Sequence, residues 1–159
     1  MKTSIKVGNR ILELANNALT PVLYRQIFGE DFLLLFSQIM TRNRSVIDKA
    51  LKLQSVKADF DSEKITREDF LAKVTDLGFT DEELGVVNER SELMSKLAFI
   101  MNKQAELSKV EKLLELSKVD YYKFLTDFDI NELRSPEVVG ALINFWNGNT
   151  ETGIDSKNA

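Results

Sequence analysis

The sequence predicts a mainly α protein: a single helical domain over residues 1–147, with a short N-terminal β-hairpin at about 3–14 and a flexible polar tail at 148–159. Three observations predict it. Helix-capping signals recur along the chain, a Gly-Asn pair separates two short alternating runs near the start, and one long apolar stripe keeps a helical period in the middle.

The hairpin comes first. Ile5 and Val7 alternate with polar neighbours, as do Arg10-Ile11 and Leu12-Glu13, and Gly8-Asn9 lies between the runs. Both turn residues tolerate positive φ, which a two-residue hairpin turn demands. A lone hairpin is marginal in water, so it must lean on the helices that follow.

Thr20-Pro21 then opens a two-turn helix that Gly29 closes: Thr20 as the cap, Pro21 at the first helical position, Gly29 in the left-handed position past the end. Asp31 is placed to cap a second helix from Phe32 to about Met40. Arg42 to Leu53 continues helical, with Val46, Ile47, Ala50, Leu51 and Leu53 close to a 3.6-residue period. Capping boxes pair Thr66 with Asp69, Thr80 with Glu83 and Ser117 with Asp120, and Gly78 closes the first of these helices. Ser135-Pro136 begins a last helix through Trp146, ended by Asn147-Gly148. Leu93, Leu97, Ile100 and Met101 fall at i, i+4, i+7 and i+8, and this segment is the expected central core helix.

Composition removes much chemistry. The 159 residues include no histidine and no cysteine. That excludes disulfides, Cys- or His-based zinc sites, cysteine nucleophiles and Ser-His-Asp triads. A net charge of -4 gives no overall attraction to phosphate backbones, so no nucleic-acid partner is expected. The apolar run Phe32–Phe36 is far too short to cross a bilayer and reads as a buried helix face. With no secretory leader visible, the sequence predicts a soluble, non-secreted protein without a membrane partner.

No cofactor or metal is expected. Asp59, Asp61 and Glu63 alternate like the start of an EF-hand loop. The glycine and glutamate such a loop requires are replaced by Lys64 and Phe70, so the segment reads as a solvated acidic connection between helices. No phosphate-binding glycine motif is present. Carboxylates alone suffice for glycoside hydrolysis, but no pair stands out from those that caps and helix surfaces use. A binding or assembly protein is therefore favoured over an enzyme.

Two patterns point to contacts. From Thr41 to Lys57 five basic residues, Arg42 and Arg44 among them, face one acid, a balance of +4. From Ala58 to Glu92 eleven acids face four bases, a balance of -7. These are either solvated helix faces that pair with each other, or a steering surface for a partner or another copy. The adjacent pairs Tyr121-Tyr122 and Phe145-Trp146 cannot each face one way, since helical neighbours diverge by about 100°. One member of each pair belongs at an exposed or groove-edge position, where aromatics favour protein contacts.

The order of these elements resembles a known family. The hairpin, the segment Asn17–Gly29, the segment Leu97–Ala105, the segment Leu116–Leu125 and a polar tail after Phe145-Trp146-Asn147 are similar to the tail assembly chaperones of long-tailed phages and prophages of Gram-positive bacteria. The resemblance covers roughly 1–40 and 91–159 and does not extend to 41–90. It implies a non-enzymatic protein of the host bacterial cytoplasm that coats the tape-measure protein, keeps it soluble, helps recruit major tail (tube) protein, self-associates along its client and is absent from the mature virion. Many members are made in two forms by a programmed −1 frameshift, and the ending Ser156-Lys157-Asn158-Ala159 is compatible with an A-rich slippery codon run. On this reading the client surface falls near Tyr121, Tyr122, Phe145 and Trp146, and the charged segments containing Arg42 and Arg44 guide contact between copies. The alternatives are a generic helical adaptor or small regulator, and a carboxylate-dependent hydrolase.

Overall fold

The computed structural model describes residues 1–42, 44–78 and 80–148, with the side chains of 40–42, 44–45, 47, 50, 81, 84 and 86–87 outside that description. From residue 149 on, the expected polar tail lies outside it too. The described chain is mainly α. Strands β1 (Lys2–Val7) and β2 (Arg10–Ala15) precede nine helices: α1 (Thr20–Phe28), α2 (Phe32–Arg42), α3 (Arg44–Asp61), α4 (Arg67–Leu77), α5 (Asp81–Glu106), α6 (Val110–Leu114), α7 (Lys118–Leu125), α8 (Ile130–Leu133) and α9 (Pro136–Trp146). Among the described residues no helix is long and apolar enough to cross a membrane.

The chain divides into two compact units. One joins Met1–Leu35 to the chain from Ser91 onward, and the other is Phe36–Arg90.

In the first unit the hairpin is antiparallel, with Ile5 opposite Leu12 and Val7 opposite Arg10. Ile5, Val7, Leu12 and Leu14 are buried, whereas Ile11, opposite Lys6, is exposed. The period of two therefore runs through Leu12 and Leu14 and turns Ile11 outward. Only the first turn residue uses positive φ: Gly8 has φ 58° and Asn9 does not. A glycine at the first central position is the pattern of a type II′ turn. A Cβ at Gly8 would collide with the Glu132 carboxylate, so α8 closes over the turn.

Helix α5 supplies the centre of this unit. Leu93, Met94, Leu97, Ala98, Phe99, Ile100 and Met101 are all buried. Its polar residues tie down the hairpin and the β2–α1 connection. Asn102 Nδ2 donates to the Glu13 carbonyl at 3.0 Å, and Gln104 Nε2 donates to Asn17 Oδ1 at 2.8 Å. Thr20 departs from the expected role. It is helical and fully buried, and its hydroxyl donates to Gln104 Oε1 at 2.7 Å. The Asn17 side chain instead takes the Leu19 N–H at 2.8 Å. A buried hydroxyl facing a glutamine gains more from that bond than from capping an end that Asn17 already serves.

The other termini follow their local chemistry. Gly29 takes φ 71° and closes α1, and Asp31 accepts the Leu34 N–H at 3.1 Å. The Thr66–Asp69, Thr80–Glu83 and Ser117–Asp120 boxes all form. Ser135 accepts the Val138 N–H at 3.3 Å. In the second unit α3 runs on to Asp61, so Asp59 and Asp61 sit on a helix rather than in a connection. The helix ends with Glu63 at φ 60° and Lys64 N bonded to the Asp59 carbonyl at 2.9 Å, a left-handed cap without glycine. The rings of Phe60 and Phe70 stack at 4.7 Å, while Lys49 reaches the Gly78 carbonyl. Helices α3 and α4 are therefore an antiparallel pair.

Candidate interaction surface

Each predicted aromatic pair splits as helical geometry requires. Tyr121 and Phe145 are 4% and 0% exposed, whereas Tyr122 is 58% exposed and Trp146 half-buried. Tyr121 and Phe145 are thus core residues, and only Tyr122 and the edge of Trp146 are open to a partner. The rings form one line through the first unit. Tyr122 lies against Tyr121, Tyr121 meets Phe28 edge-on at 5.1 Å, Phe28 touches Tyr24, Tyr24 touches Phe32, and Phe32 meets Trp146 edge-on at 4.6 Å. Such edge and tilted contacts add to simple burial. Burial pushes the Tyr121 phenol up to about 12, with Arg134 opposing and Glu92 reinforcing the shift. Burial, then the Glu30 carboxylate 3.2 Å from its hydroxyl, holds the Tyr24 phenol above its ordinary range as well.

The apolar run Phe32–Phe36 does not form a wholly buried face. Phe32 is buried, but Leu33 and Leu34 are each more than half exposed. Rotation of about 100° per residue carries them off the side that Phe32 occupies. Leu33 lies beside Pro21, Val22 and Gln26 in a shallow groove edged by the Arg25–Asp31 ion pair. Gln26 Nε2 donates to the Leu114 carbonyl at 3.0 Å, joining α6 to α1. Sequence reasoning missed this groove, although Val22 and Gln26, one turn apart on α1, were its visible signal. A second cleft lies between the hairpin, α5 and the segment after α7. Arg10 sits 5.7 Å over the Phe128 ring there, beside Glu13, Lys103 and Asp127. Its mixed charges favour no particular ligand class.

Two lysines organise the charges. In the first unit Lys96 Nζ lies 3.4 Å from both Glu30 and Glu92 and 5.0 Å over the Phe28 ring. In the second, Lys49 Nζ lies 2.8 and 2.9 Å from the two oxygens of Glu83, which it holds below the usual carboxylate range. That pair joins the basic segment to the acidic one within a single chain. The side chains of Arg42 and Arg44 lie outside the described residues. Among the described residues, no cluster of three metal-ligating side chains is present.

Comparison with protein-family models, with curated proteins and with solved structures finds no match for this chain.

Proposed function

We propose that this protein is a phage tail assembly chaperone. It binds the tape-measure protein, keeps it soluble in the host bacterial cytoplasm, helps recruit tail-tube subunits, and leaves before the virion is complete. One observation carries the reading. Of the two segments that bear the resemblance, roughly 1–40 and 91–159, the described residues nearly coincide with those that fold together as one unit, Met1–Leu35 with residues 91–148. The segment without resemblance, roughly 41–90, nearly coincides with the other unit. A resemblance carried by two separated stretches gains weight when both contribute to one core.

The chemistry of the first unit suits the task. A long helical client presents an apolar stripe, and Val22, Leu33 and Tyr122 offer exposed apolar surface on elements held by a rigid core. Exposed apolar side chains over such a core give contacts that form without refolding and release readily.

The test is co-expression with the tape-measure protein encoded beside this gene. The expected result is a soluble tape-measure protein that elutes in complex with this chain. A client that still precipitates, with no complex eluting, overturns the proposal and leaves a generic helical adaptor as the better reading. Sequencing the gene's 3′ end tests the second product: no slippery heptamer and no overlapping frame would exclude it.

A further inference from the structure

We infer that the α3–α4 face of the second unit is a self-complementary docking surface whose occupant is the same face of a second copy of this chain. The first observation is incomplete burial. Helix α4 has no buried residue. Val56 and Leu77 form the apolar floor of a groove between α3 and α4 and are only half-buried, while Leu51 and Leu71 are more than half exposed. Two amphipathic helices cannot cover each other's apolar stripes completely, and the remainder must face another layer or stay in water.

The second observation selects the occupant. The groove is edged by two cations, Lys52 and Lys73, and two anions, Asp59 and Asp76. Among the described residues none of the four forms an ion pair within the chain. Lys52 and Asp59 lie on α3, Lys73 and Asp76 on α4, so each helix contributes one charge of each sign. A surface with equal opposite charges around an apolar floor complements itself. Under two-fold symmetry every contact occurs twice, so lysines of one copy can meet aspartates of the other at both ends. A partner of a single charge sign would leave half of these groups opposed by like charge. This surface rests on the α3–α4 geometry and charges alone and stands without the tape-measure client.

The test is the oligomeric state of the full chain by sedimentation and light scattering. Wild type is expected at twice the 18.1 kDa chain mass, weakening as salt rises. Lys52→Glu with Lys73→Glu makes the groove wholly acidic, and Asp59→Lys with Asp76→Lys makes it wholly basic. Each double variant is expected to associate with itself at least tenfold more weakly, with an unchanged helical circular dichroism spectrum. Mixing the two restores a dimer containing one chain of each. Because all four positions are on the helix surface, that rescue separates lost docking from lost folding. A monomeric wild type, or a mixture that fails to pair, overturns the inference, as does a dimer indifferent to all four changes. The same variants in co-expression keep the two proposals apart: a monomeric variant that still holds the tape-measure protein soluble leaves the chaperone reading intact.

Discussion

The two units of this chain solve the same problem with different means. The first is organised by burial: a line of rings from Tyr122 to Trp146, a central helix buried from Leu93 to Met101, and polar side chains on α5 that hold the hairpin. The second is organised at its edges. Among its described apolar side chains only Ile39 and Val46 are buried, and its order comes from capping boxes, the Phe60–Phe70 stack and the Lys49–Glu83 pair. Local signals thus suffice to form helices, but helices without a shared interior remain in need of another surface.

The sharpest way to break this contrast is truncation. Phe99→Ala should cost about 3–5 kcal/mol in denaturant unfolding, because the ring is fully buried among other rings. Leu71→Ala in the second unit should stay within about 0.5 kcal/mol in isolated monomers. Similar losses from both would erase the distinction. Next in size, Thr20→Val leaves buried Gln104 without its hydroxyl donor and should cost about 1–3 kcal/mol by the same measurement.

A smaller effect has the opposite sign. Glu63 holds φ 60° where glycine carries no steric penalty, so Glu63→Gly should stabilise the second unit by about 0.5–1 kcal/mol, read as a raised thermal midpoint. Last comes acid sensitivity, which compares the units directly. The Leu34 N–H, helped by Arg25, holds Asp31 below the usual carboxylate range in the first unit, and Lys49 does so for Glu83 in the second. A lowered folded-state pKa contributes stability that is complete above the unfolded carboxyl range and is lost as pH falls through the folded value. Asp31→Asn and Lys49→Met should each lower stability modestly near neutral pH and flatten the acid limb of a stability–pH curve, the difference from wild type vanishing as pH falls below the folded carboxyl range.

Sequence legibility follows the range of the forces involved. Caps and the hairpin turn were readable because Thr66–Asp69 or Gly8-Asn9 act within four residues. The split of Tyr121 from Tyr122 was readable in kind, since helical rotation demands it, but not in direction, which Phe28 and Phe99 decide from distant parts of the chain. Thr20 looked like a cap because nothing local announces Gln104, its partner 84 positions away. Helices α6 and α8 are five and four residues long, too short to show a period. The exposed groove at Val22 and Leu33 was hidden for the converse reason: apolar residues in a helix read as core until the neighbouring elements are known.

The discontinuity of the first unit also has a consequence in time. Phe32 lies in α2 and its edge-on partner Trp146 ends α9, so the ring line cannot close until nearly the whole described chain has been synthesised. At elongation rates of about 5–20 residues per second that interval is on the order of ten seconds. Helices α3 and α4, which need only each other to pair, can form their hairpin while the hairpin strands and α1 still wait at the ribosome for α5 and α9. The newborn chain therefore leaves the apolar interior of its first unit uncovered until α9 has emerged.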